Sequence, residues 1–175
     1  DLRFELVGFA GLMLAREVNG AGVASLTLDA SHPATAQLAL DWQIEVWRRE
    51  QSVGLDWYVE FCGLLRDAEL RADDTGIYRT TYIFPGVISL LGRSVVAYAT
   101  GTDGRSTFSS DKAETIAKAL VTYNATAAGT LLDGRLLPAG ISCVSVQADA
   151  AAGPSLDFSC AYRNLLAAVK EVAYL

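Results

Sequence analysis

The sequence predicts an α+β chain, with an antiparallel β-barrel or sandwich first and a small mixed helix-and-strand part after it. Three observations carry this reading. Short runs with a two-residue apolar period crowd the first hundred residues, turn signals separate them, and the period becomes helical after the loop Gly101–Gly104. The expected domains are 1–104, an antiparallel barrel or sandwich, and 105–175, mixed and incomplete at its C-terminal end. With 175 residues, 51% of them hydrophobic and 19% charged, the chain is large enough to bury a core without a staple and too apolar for wholesale disorder.

Each element follows from its residues. Ser25–Asp29 alternates Leu26 and Leu28 against Ser25, Thr27 and Asp29. Trp42, Ile44 and Val46 alternate against Gln43, Glu45 and Trp47. Trp57, Val59, Phe61 and Leu65 do so against Tyr58, Glu60 and Cys62. Arg49–Leu55, with Gly54, fits the hairpin loop between these two runs. Asp73–Gly76 is a second turn signal ahead of Ile77–Phe84, a run of high strand propensity. Gly86–Arg93 reads as one or two helical turns, and Val95–Ala99 as a further strand. Asp111 and Glu114 suggest a capping box before Ala113, Ile116, Ala117, Leu120 and Val121, which keep helical spacing up to Asn124 and Gly129. Ile141–Gln147 alternates as a strand. Leu165, Leu166, Val169, Val172 and Ala173 form a second helix, with Arg163 and Lys170 on its polar side.

Composition narrows the chemistry. Fourteen basic against twenty acidic residues, net −6, argue against a general nucleic-acid binder. The apolar runs are too short to cross a bilayer, so no membrane insertion is expected. Cys62, Cys143 and Cys160 form no CxxC pair. They read as buried thiols of a reduced protein, with a Cys143–Cys160 bridge as the alternative. The chain opens at Asp1 without methionine and closes inside a helical pattern, so it reads as part of a longer polypeptide.

No catalytic constellation stands out. His32 is the one histidine and lies in a Ser-His-Pro turn; Ser106, Ser109 and Ser110 lack a nucleophile elbow. The carboxylates Glu5, Asp29, Asp41, Glu45, Glu60, Asp73 and Asp74 read as a solvated face, although Glu45 and Glu60 sit on neighbouring strands, where a glycosidase pair could form. Zinc, calcium and phosphate motifs are missing, and no cofactor is expected. The sequon Asn124–Thr126 falls on a helix end. The aromatics say more. Trp42, Trp47, Trp57, Tyr58 and Phe61 appear on both faces of two adjacent strands, so one set needs a partner. A protein–protein interface is the expectation, and a sugar-binding platform the alternative.

The succession of segments resembles the tail-tip (baseplate) hub proteins of long, non-contractile-tailed phages. It runs through Trp42–Arg49, Val59–Asp67, the turn Asp73–Gly76, Ile77–Phe84, the leucine pair Leu90-Leu91 before Val95–Tyr98, and the helices Ala113–Asn124 and Tyr162–Ala173. One departure is Pro85, where the family has a polar residue opening the short helix; a first turn accepts proline. The resemblance implies structural work rather than catalysis. It implies a barrel resembling a tail-tube subunit, a homotrimer at the virion's tail tip, and synthesis in the host cytoplasm. The implied neighbours are a tail-tube or distal tail protein, a tape-measure protein and tail fibres, with genome DNA passing through unbound. On that reading the aromatic strands supply a head-to-tail ring interface, and Glu45, Glu60, Asp67 and Asp73 are candidates to face an anionic lumen. A receptor- or carbohydrate-binding β module, or a tail-associated wall hydrolase acting through another segment, are the alternatives.

Overall fold

The computed structural model describes residues 4–50, 52, 54, 56–72, 76–97, 104–127, 141 and 144–175, and the alternating runs of the first half are strands in it. They are β1 (Gly11–Ala15), β2 (Val23–Asp29), β3 (Gln43–Arg48), β4 (Tyr58–Leu64), β5 (Asp67–Ala72) and β6 (Tyr78–Pro85). The chain is α+β, its sheets are antiparallel, and it divides into two compact units, Asp1–Val87 and Ile88–Leu175.

In the first unit the sheet order is β1-β2-β6-β5, and β3 pairs with β4 as a hairpin. Val23–Asp29 lies centrally because Ala24, Leu26 and Leu28 share one face, and all three are buried. Full burial of such a leucine stabilises by about 2 kcal/mol. Across from them on β6, Phe84 and Tyr82 are buried too. The hairpin covers this face: Phe61 and Leu65 are buried against it, and Ile44 and Val46 pack at its margin. The opposite face is polar. Thr27 and Thr81 hydroxyls meet at 3.2 Å, and Arg79 pairs with Asp29 at 3.3 Å.

One strand serves both layers. Only Leu65 and Arg66 separate β4 from β5. Leu65 N–H donates to the Trp42 carbonyl at 2.8 Å, whereas Arg66 N–H donates to Ile83 at 3.0 Å. The chain therefore leaves the hairpin and joins the four-stranded sheet within two residues. An Arg66–Asp41 ion pair holds the corner. Behind it, Gly63 bridges to Gly86 beyond the end of β6. Both are glycines for a steric reason. A Cβ on Gly86 would lie 1.9 Å from the Ala21 carbonyl oxygen, and one on Gly63 2.6 Å from the Phe61 ring. No closed barrel is found among the described residues.

The second unit is built on β7 (Ser106–Lys112) paired with β8 (Ser155–Cys160), and on helices α1 (Ala113–Ala125) and α2 (Leu165–Tyr174). Its core joins Ile116 and Leu120 of α1, Leu165, Ala168 and Val172 of α2, Phe158 and Cys160 of β8, and Leu91 and Val96. That last pair explains why the units divide after Val87, earlier than residue 104. The sequence groups residues 90–97 with the strands before them, yet Leu91 and Val96 pack with the helices. Asn124 is buried on α1; its Oδ1 accepts from Ala97 N–H and its Nδ2 donates to Leu120, both at 2.8 Å. It is an internal strut one residue before the helix end.

Several local expectations change. The capping box does not form: α1 starts directly from β7 at Lys112 with no side-chain cap, because Asp111 is still in the strand. Pro85 ends β6 opposite Val23, and the 3₁₀ segment Val87–Arg93 begins two residues later. Val95–Ala99 reduces to a bridge from Val95 to Asn164, with Tyr98 and Ala99 outside the described residues. Ile141 and Val144–Gln147 form no strand; Ile141 N–H instead donates to Ala125 at the end of α1. Gly129, Cys143 and the Asp73–Thr75 turn also lie outside the described residues. Asn164, not anticipated as a cap, accepts from Ala167 N–H at 3.1 Å and opens α2.

Candidate functional site

The five aromatic candidates separate into two groups. Phe61 is 8% exposed, so it is a core residue and not part of a free surface: it sits on the face of β4 that the sheet covers. Trp42 is half-buried, its ring 6.0 Å from that of Phe4. Trp57 is 58% exposed, and Trp47 and Val59, directly opposite one another, are exposed as well. The register shifts between Val46 and Trp47, which oppose Phe61 and Val59, so Glu60 is the extra residue of a bulge in β4. The bulge reverses the alternation of β4, so Val59 and the preceding Trp57 lie with Trp47 on the face of Glu45, opposite that of Phe61 and Leu65. The exposed tryptophans and Val59 therefore lie on the outer side of the hairpin tip, and Arg48, Tyr58 and Glu60 gather on its other side.

A second bare surface was not visible in the sequence. Ala68, Leu70 and Ala72 of β5 stand opposite Tyr82, Thr80 and Tyr78 of β6. Opposed residues share a face, so this set continues the side that buries Leu26, Leu28, Tyr82 and Phe84. Yet Leu70 and Tyr78 are each 60% exposed, and every residue of β5 is exposed. The apolar face of the sheet outruns the hairpin that covers it. Because β5 is also an edge strand, its outer backbone groups pair with no strand of the described chain.

The acidic candidates are equally divided. Glu45 is exposed and opposes Cys62, so it does not face Glu60 across the hairpin. It accepts from Gln43 at 2.9 Å and from the Trp47 indole at 3.0 Å. The Glu60 side chain is only 10% exposed. It forms an ion pair with Arg16 and lies 3.7 Å from Arg48, so its charge is already balanced within the unit. Burial first, and then the charge and hydrogen bond of Glu60, hold the Tyr58 phenol above its usual pKa. Asp67 is exposed at the start of β5, and its carboxylate accepts from Ala68 N–H at 2.8 Å. Asp73 lies outside the described residues.

His32 has structural duties. Its Nδ1 accepts from Ala34 N–H at 3.1 Å, capping the 3₁₀ turn Pro33–Ala36. Its Nε2 donates to the Val7 carbonyl at 2.9 Å. Both ring nitrogens are engaged, which leaves neither to act as a general base.

In the second unit an open groove runs along α1, lined by Thr115, Lys118, Thr122, Tyr123, Gln147 and Asp149. Its polar groups mostly bind one another. Lys118 reaches Glu114 and, at 2.6 Å, the Ala148 carbonyl; Glu114 accepts from Ala152 N–H at 2.8 Å; Thr115 donates to Asp149 at 2.6 Å. The network latches residues 148–152 to the helix. The Lys118 hydrogen bond holds Glu114, and the Thr115 hydrogen bond holds Asp149, below the usual carboxylate range. A lowered folded pKa means that the unfolded chain binds more protons, so this contribution is whole above the ordinary carboxylate range and is lost as pH falls through the lowered values. Expected on acidification below about pH 4 is a fall in melting temperature that Glu114→Gln reduces. A pH-melting series on both chains checks this; parallel curves would contradict it. Asp149 is exposed and the Glu114 side chain is 24% exposed, so water screens both and the effect is small.

No family model matches the chain, and no curated protein matches it.

Proposed function

We propose that this chain is an assembly subunit of a phage tail-tip hub, joining copies of itself around the tail axis as a trimer and continuing the tail tube. One observation supports this most: the first unit is an antiparallel structure that leaves the edge strand β5 and part of the apolar face of its sheet bare. A ring of subunits covers such surfaces from copy to copy. In the ring the strands of neighbouring copies together form a tube-like barrel wall. Glu45 and Asp67, both exposed, are the lumen-facing acids of this reading. Glu60 is a positioning residue between two arginines. The partners are other copies, a tail-tube or distal tail protein, the tape-measure protein and fibres, in the virion after synthesis in the host cytoplasm.

Quantitative mass spectrometry of purified particles tests the reading. The expected result is this chain at half the copy number of one ring of the six-fold tube protein. Its absence from particles would overturn the hub. The exposed Trp57 favours a second reading, a glycan-binding module; loss of glycan binding in Trp57→Ala would support it.

A further inference from the structure

We propose that β5 recognises itself: in the free chain it pairs antiparallel with β5 of a second copy, joining the two four-stranded sheets into one continuous sheet. The contact is two-fold, with Leu70 against Leu70 at its centre. It goes beyond the assembly reading above and describes the chain off the tail, because a copy that spends β5 on this pairing cannot offer it to a ring.

The backbone of the sheet decides which residues can pair. Ala30 N–H donates to the Tyr78 carbonyl at 2.9 Å, and Gly86 N–H to that of Gly22 at 3.2 Å, so the even-numbered residues of β6 turn their backbone groups toward β2. Arg79, Thr81 and Ile83 therefore turn theirs toward β5, and the bond from Arg66 N–H to Ile83 at 3.0 Å agrees. Their partners on β5 are Arg71, Glu69 and Asp67. Ala68, Leu70 and Ala72 are left with N–H and C=O groups directed away from the sheet, where no strand of the described chain meets them. Paired with a second copy, Leu70 stands opposite Leu70 and Ala68 opposite Ala72, and each such pair exchanges both of its N–H···O bonds.

The side chains select the same register. Glu69 and Arg71 share one face, ion-paired at 2.7 Å and both more than half exposed. Opposite the second copy, Glu69 meets Arg71 and Arg71 meets Glu69, at the positions without hydrogen bonds, where facing side chains come closest. A shift of two residues either way sets Glu69 against Glu69 or Arg71 against Arg71. A shift of one sets outward groups against inward ones and forms no ladder. At the next position Asp67 would meet Asp73, like charges that end the ladder there. On the other face Leu70, 60% exposed, meets its own copy between Ala68 and Ala72, which extends the apolar side of the sheet. Every residue of β5 is exposed, so nothing overhangs the edge. Charges on an edge strand commonly keep other strands away; this spacing makes them complementary to a second copy.

The test uses the 175-residue chain, Glu69→Arg, Arg71→Glu and the double exchange, each checked for an unchanged circular dichroism spectrum. Sedimentation of the parent is expected to show a monomer–dimer equilibrium with a Kd of roughly 10–100 µM, in keeping with a small contact. Each single exchange turns both charge pairs repulsive and is expected to weaken the dimer at least about tenfold. The double exchange restores opposite charges at the same positions and is expected to return to within about threefold of the parent. An equimolar mixture of the two single variants is expected to do the same, since its heterodimer sets arginines against glutamates. A parent that stays monomeric at about 500 µM, oligomers larger than a dimer, a single variant that dimerises like the parent, or a double exchange as weak as the singles would overturn the proposal. These results stand apart from the particle measurement. A chain present in particles but failing here keeps the hub and loses this contact; one that dimerises here but is missing from particles keeps the contact and loses the hub.

Discussion

Gly86→Ala is expected to remove about 3 kcal/mol of folding stability, the upper end of what an inserted methyl group usually costs. The added Cβ would stand 1.9 Å from the Ala21 carbonyl oxygen and 3.1 Å from its carbon. These are backbone atoms, so no rotamer change relieves the overlap. Gly86 N–H donates to Gly22 at 3.2 Å, and Gly86 bridges to Gly63, so moving it away loosens the join between hairpin and sheet. Gly54→Ala is the control. Nothing lies within 4 Å of its Cβ position, and only its φ of +71° is strained, a cost of about 1 kcal/mol. Urea unfolding of the three chains decides the matter: a Gly86→Ala midpoint no lower than that of Gly54→Ala would show that the seam tolerates a side chain.

Phe61→Ala is expected to cost about 4 kcal/mol, more than ordinary loss of a buried ring's contacts with other side chains would suggest at a hairpin. Its ring fills the space above three glycines. It lies 3.7 Å from where a Cβ on Gly22 would stand, 3.6 Å from that on Gly86, and 2.6 Å from that on Gly63. Glycines supply no side chain to close a void, so the cavity cannot be filled locally. A second consequence follows. Gly63→Ala alone collides with the ring and, at 2.9 Å, with the Pro85 carbonyl; once the ring is gone, one of those two collisions goes with it. A double-mutant cycle by urea unfolding should therefore show Gly63→Ala costing less in the Phe61→Ala background. Additive losses would mean that the ring and the glycine do not share that space.

Much of the order of the strands was legible in the residues, and the reasons for the misses are physical. β2, β3, β4 and β6 each bury one face, so alternation marks them. β5 reads Asp-Ala-Glu-Leu-Arg-Ala and is exposed on both faces; its pairing with β6 places it, and no local preference does. β7 has a bulge between Phe108 and Asp111, with Ser110 at φ 54°, which breaks its period. β8 was within reach, since Leu156, Phe158 and Cys160 alternate plainly. Of the site, Trp47 and Trp57 were legible as a need for a partner. The bare end of β5 and β6 was not, because Leu70 and Tyr78 belong to a core face by register alone, and register is not written in any one segment.

The strand that passes from hairpin to sheet at Leu65 and Arg66 also has a mechanical meaning. Its hydrogen bonds to β3 on one stretch and to β6 on the next lie across its length. Tension drawn along it therefore loads both ladders in shear at once, where tension across a sheet would open bonds one after another. A wall made of such units would resist stretching around its circumference as a single element and then yield abruptly. Single-molecule pulling between residues 57 and 72 would read this as one force peak, and a staircase of small ones would refute it.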